Sequence, residues 1–170
     1  MEDCRLRSNR THTPEMPLYS QGCTGYYGGA PIYLDTVSDS LSIKGTYLNN
    51  TNYFNHSQGG AIFIGTVGAK RAQIQGLFRG SSAREDGAIV INKITGGDLM
   101  RITGVFHTNA AEDIYGYCGS HGGGITVRKV ENASTLIING TFGIALGRFL
   151  ISEGTFLVSD GMALISESMF

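Results

Sequence analysis

Along most of this chain apolar and polar residues alternate, and the alternation recurs in two phrases. The first is a glycine, a small residue and an apolar run, carried most fully by Gly59, Gly60, Ala61, Ile62, Phe63 and Ile64. It returns around Gly28, Gly29, Ala30 and Ile32, at Gly87, Ala88, Ile89 and Ile91, and at Gly123, Gly124, Ile125 and Val127. The second phrase is apolar-x-apolar-x-Gly-x-aromatic. It reads Leu41, Ile43, Gly45, Tyr47, then Ala72, Ile74, Gly76, Phe78. Two further copies run Met100, Ile102, Gly104, Phe106 and Leu136, Ile138, Gly140, Phe142. A period of two marks a strand with one face buried, so each phrase predicts a strand.

The spacing of the phrases predicts how the strands are arranged. From Gly29 to Gly45 and from Gly60 to Gly76 is 16 residues, and from Gly87 to Gly104 and Gly123 to Gly140 is 17. Whole repeats are looser, at 31, 27 and 36 residues between the first-phrase glycines. Constant strands with one variable connection per repeat are the mark of a solenoid. The predicted fold is therefore all-β: a right-handed parallel β-helix of about five coils. A solenoid containing helices is disfavoured, because no long segment has a helical period.

In such a stack, equivalent residues lie about 4.8 Å apart. Tyr47, Phe78, Phe106 and Phe142 then form an aromatic ladder, and the echo of Gly140 and Phe142 in Gly154 and Phe156 places Phe156 as its extension. Phe63, Val90, Thr126, Lys44, Gln75 and Thr103 fall between the inward positions and are expected to point to solvent or to a neighbour. Glycine at the anchors suits sharp turning or close approach of the next coil. Residues 1–25 lack both phrases and read as an N-terminal arm or cap. Residues 26–170 read as the β-helix, with an irregular last coil.

Composition narrows the function classes. Charged residues are only 16% of the chain and the net charge is −1, with lysines and arginines scattered along the sequence. Nucleic acid is accordingly not an expected partner. No run is long and apolar enough to predict a membrane span, and residues 1–20 are too polar for a secretory signal. Glycine accounts for 25 of the 170 residues, an excess that the recurring anchors explain.

Two features bear on the compartment. Asn9, Asn49, Asn55, Asn132 and Asn139 each open an N-glycosylation triplet. They point to an extracellular or cell-surface glycoprotein. Cys4, Cys23 and Cys118 are an odd number. Cys4 with Cys23 is the local choice for a disulfide, and three free thiols are the alternative.

The Gly-Gly-Ala-Ile of residues 59–62 and the aromatic-x-x-Asn spacing of Tyr47 with Asn50 and Phe106 with Asn109 resemble the passenger repeats of chlamydial polymorphic outer-membrane proteins and related surface proteins. The likeness covers residues 28–142. Phe78 and Phe142 depart from it, being followed at that spacing by Ser81 and Ala145. The resemblance implies a right-handed β-helix at a cell surface, used for adhesion or display.

Parallel β-helices also carry polysaccharide lyases and hydrolases, whose ionisable residues line an outward face. His121, with Arg128 and Lys129 downstream, superficially resembles one hydrolase motif, but the paired aspartates of those enzymes are missing. His121 reads more simply as a turn residue. The adjacent carboxylates Glu85–Asp86 and Glu112–Asp113 could ligate Ca²⁺ if their loops converged, although solvated loop charges are the simpler reading. No zinc spacing or phosphate loop is present, and neither a cofactor nor a metal is expected.

The expectation is thus a non-enzymatic structural or adhesive element, self-associating into an oligomer or filament through its open ends and presenting its surface to glycans or host-cell molecules. Met169 and Phe170 in the irregular last coil contribute to that expectation. The competing reading is a polysaccharide-binding or polysaccharide-cleaving β-helix using an outward face near His121, Arg128 and Glu112.

Overall fold

The computed structural model describes residues 6–8, 17–21, 24–25, 31–52, 58–84, 86–95, 99–111, 123–131, 135–143, 150–151 and 155–159. Every ladder pairing among them is parallel, and none of them is helical. They form three sheets. The first runs in spatial order through Leu6–Ser8, Ile32–Val37, Ile62–Val67, Ile89–Thr95, Ile125–Val127 and Leu150–Ile151, with Val130–Glu131 also pairing on Ile89–Thr95. The second runs through Pro17–Gln21, Ser40–Leu48, Arg71–Arg79, Leu99–His107, Thr135–Phe142 and Thr155–Ser159. The third has only two-residue strands: Thr24–Gly25, Thr51–Asn52, Ser82–Ala83 and Ala110–Ala111. From Leu6 to Ala111 the chain visits first, second and third sheet in the same order on each pass. The stretch set apart as an arm or cap, residues 1–25, contributes Leu6–Ser8, Pro17–Gln21 and Thr24–Gly25 to these sheets.

The predicted columns are in register. Ile32, Ile62, Ile89 and Ile125 pair successively in the first sheet. Ile43, Ile74, Ile102 and Ile138 do so in the second. Both columns belong to one buried core that also holds Leu34, Ile64, Ile91 and Val127. The rings of Tyr47, Phe78, Phe106 and Phe142 stack at centroid distances of 4.9, 4.9 and 5.0 Å, tilted by 4°, 3° and 9°. At about 1.5–3 kcal/mol per buried apolar side chain, each pass depends on its neighbours to cover its half of the interior.

Phe156 does not extend this ladder. Its strand pairs Thr155 with Thr135, which sets Phe156 beside Leu136. Phe156 and Val158 repeat the alternation of Leu136 and Ile138, and that two-residue pattern fixes the register; the echo of Gly140-Thr-Phe142 does not.

Glycine in the second sheet is required by proximity. A Cβ on Gly76 would lie 2.2 Å from the carbonyl oxygen of Gly45, one on Gly104 2.1 Å from that of Gly76, and one on Gly140 2.2 Å from that of Gly104. Each backbone occupies the place of the next residue's side chain, so one glycine calls for another above it.

The corner into the third sheet has its own chemistry. Asn49, Gly80 and Thr108 all take left-handed φ values, of 51°, 64° and 51°. The residues that follow, Asn50, Ser81 and Asn109, are buried. Asn109 ties two passes together: its Oδ1 accepts from the Ser81 N–H at 2.9 Å, and its Nδ2 donates to the Phe78 carbonyl at 3.0 Å. Those backbone groups sit where the chain turns from one sheet to another, and the side chain supplies their hydrogen bonds.

Candidate functional site

The second sheet has long strands whose outward residues form rows across it. One row is Lys44, Gln75, Thr103 and Asn139; the next is Ser42, Gln73, Arg101 and Ile137; a third is Thr46, Leu77, Val105 and Thr141. The alternation that sends Leu41 and Ile43 inward necessarily sends Ser42 and Lys44 outward. Lys44, Gln73, Gln75, Arg101 and Asn139 are exposed, as is Val105, at 42%. Such a surface offers amide, hydroxyl and cationic groups at regular intervals to an extended partner. It holds no cluster of acid, base and nucleophile.

The outward side of the first sheet behaves differently. Phe63, Val90 and Thr126 were expected at solvent or at a neighbour, and all three are buried, at 7%, 0% and 0% exposure. Phe63 stacks on Tyr33 with centroids 5.0 Å apart and planes tilted by 17°. Around Phe63, Val90 and Thr126 this sheet is therefore covered on both faces, whereas Asp35 and Thr36 further along Ile32–Val37 are exposed. On the same outward side Arg128 Nη2 donates to Asp86 Oδ2 at 2.9 Å, with Asp86 fully buried. The Thr126 hydroxyl and the Asn92 Oδ1 are buried without a hydrogen-bond partner.

Further along this face, Glu131 accepts from Lys129 at 2.7 Å and from Lys93 at 2.8 Å. The hydrogen bonds from Lys129 and then Lys93 hold its carboxyl below the ordinary range. The two lysines share one carboxylate, which offsets one of their two positive charges.

Of the residues singled out in the sequence, the structure brings Arg128 and Asp86 together and places Lys129 beside them in the ion pair with Glu131. Asn49 is exposed at the left-handed corner, and Asn139 is exposed in mid-strand on the second sheet. Asn9, Asn55, Asn132, Cys4, Cys23, Cys118, Glu85, Glu112, Asp113, His121, Met169 and Phe170 lie outside the described residues. Among the described residues, no three His, Cys, Asp or Glu side chains converge as metal ligands, and no helix is long and apolar enough to cross a membrane. Sequence reasoning missed the tie made by Asn109. Its signal was the aromatic-x-x-Asn spacing, here given a mechanical explanation.

No family model, curated protein or solved structure matches this chain.

Proposed function

We propose that this chain is a right-handed parallel β-helix serving as an extracellular structural or adhesive surface element, not as an enzyme. The observation that carries the reading is the second sheet: four long strands in unbroken register with an open, polar outward face. A stack of that kind is a rigid platform whose side chains repeat at the strand spacing, the geometry of a surface made for display. The exposure of Asn49 and Asn139 fits glycan decoration. The strands Leu6–Ser8, Pro17–Gln21, Leu150–Ile151 and Thr155–Ser159 each pair on one side only among the described residues. Terminal strands of this type offer edges on which further copies of the chain could pair.

The test is to secrete the full chain from a eukaryotic host and weigh it intact before and after enzymatic deglycosylation. The same material is then presented on beads to cultured cells and incubated with a polysaccharide panel for release of reducing ends. Glycan mass and bead adherence without sugar release support the reading. Polysaccharide cleavage, or unglycosylated chain that leaves the beads inert, defeats it. Light scattering during size exclusion tests self-association separately, and a monomer at high concentration removes that part.

A further inference from the structure

We infer that the outward face of the second sheet is a docking surface for an acidic polysaccharide, one bearing carboxylate or sulfate groups. The inference rests on the adhesive reading above and names the chemistry of its partner.

The cations that look scattered along the sequence gather in space. Lys44, Arg71, Arg79 and Arg101 all lie on the strands Ser40–Leu48, Arg71–Arg79 and Leu99–His107, and all four are exposed. Not one Asp or Glu occurs in any strand of the second sheet, although the whole chain carries 14 of them against 13 Lys and Arg. A nearly neutral molecule thus presents one sheet of a single sign. On the first sheet the cations are handled otherwise: Arg128 is paired with Asp86, and Lys93 and Lys129 with Glu131.

The register also spaces the charges. Projected onto the strand Arg71–Arg79, Arg71 and Arg79 mark its two ends, Arg101 falls at the level of Gln73, and Lys44 at the level of Gln75. Successive cations are therefore separated along the strand direction by about 7, 7 and 13 Å, at about 3.3 Å per residue. Between them stand Gln73, Gln75 and Thr103, which can donate to and accept from sugar hydroxyls. A line of cations interleaved with amides and hydroxyls matches a linear polyanion rich in hydroxyl groups. Guanidinium groups pair with carboxylate or sulfate through two parallel hydrogen bonds. A single-stranded nucleic acid is the less favoured occupant: the strands Ser40–Leu48, Arg71–Arg79, Leu99–His107 and Thr135–Phe142 send no Phe or Tyr outward for bases to stack on.

Unglycosylated full-length chain is titrated at low salt against fluorescently labelled heparin, polygalacturonate, neutral dextran and a single-stranded DNA oligonucleotide. Binding to heparin or polygalacturonate is expected, weakening steeply with added salt, while dextran stays unbound. Comparison of heparin with its fully desulfated form, which keeps the carboxylates, identifies sulfate or carboxylate as the group recognised. Arg71→Glu with Arg101→Glu should lower the affinity at least about tenfold, because the pair replaces two of the four cations with carboxylates. Arg71→Gln with Arg101→Gln serves as a second pair should the reversal disturb folding, and Lys93→Gln on the first sheet should leave binding unchanged. The proposal is overturned by any of three results: neither polysaccharide binds at low salt, the Arg71 and Arg101 variants bind like the parent, or DNA binds more tightly than both polysaccharides. Bead adherence that survives such a failure keeps the adhesive reading and discards only this face as its cause.

Discussion

Replacing Tyr47 by Phe should make the protein more stable. Tyr47 begins the described aromatic ladder, is wholly buried, and its hydroxyl has no hydrogen-bond partner. The other three rungs are Phe78, Phe106 and Phe142, so the stack needs only the ring. An unsatisfied buried hydroxyl costs about 1–3 kcal/mol. Its removal leaves a gap of one oxygen atom, which takes back part of the gain. The net expectation is about 1–2 kcal/mol of added stability, or about 2–8 °C in Tm for a chain of this size.

A second signature separates this cause from a general packing effect. Burial pushes the Tyr47 hydroxyl well above its ordinary value of 10.0. Below that value both folded and unfolded chains keep the proton, and the full stability is present. Above it the unfolded chain ionises while the folded one resists, so the parent loses stability as pH rises. Tyr47→Phe cannot lose this contribution, and the gap between the two proteins should widen from pH 10 upward. Urea unfolding followed by circular dichroism at several pH values measures both effects. A variant less stable than the parent at pH 7, or a gap that stays flat into alkaline solution, refutes the reasoning.

Three further outcomes are expected. Asn109→Ala removes the bonds to Ser81 and Phe78 and strands two buried backbone groups; it should cost about 2–4 kcal/mol in denaturant unfolding. Gly104→Ala drives a methyl group against the Gly76 carbonyl; a loss of about 3 kcal/mol or more is expected, read as a fall in Tm or in the yield of folded protein. Glu131 has a depressed folded-state carboxyl, so its stabilisation is complete above the unfolded value and disappears as pH falls through the folded one. The melting temperatures of the parent and Glu131→Gln should therefore differ near neutrality and converge in acid.

Much of this fold is legible in the sequence because the inward columns obey a period of two, and nothing but a buried strand face explains Ile62, Ile89 and Ile125 at matched spacing. The third sheet is not legible, since strands as short as Ser82–Ala83 give a periodic pattern no room to show itself. The register of Phe156 misleads because a three-residue echo competes with a five-residue strand, and the longer ladder prevails. The buried outward side chains of Val90 and Thr126 escape notice because alternation distinguishes two faces but cannot say whether the second is covered. The basic face is hidden for a related reason. Lys44, Arg71, Arg79 and Arg101 belong to three different strands, and only the parallel register sets them side by side.

The glycine column in the second sheet bears on how such a chain can change over generations. A lone substitution at Gly76 or Gly104 meets the backbone of the preceding pass and is rejected, whereas an extra pass copied whole arrives with its own glycine already in position. Variation by duplication is therefore open to this architecture at points where variation by single replacement is closed, and lineages would be expected to differ in the number of storeys sooner than in the residue that keeps them apart.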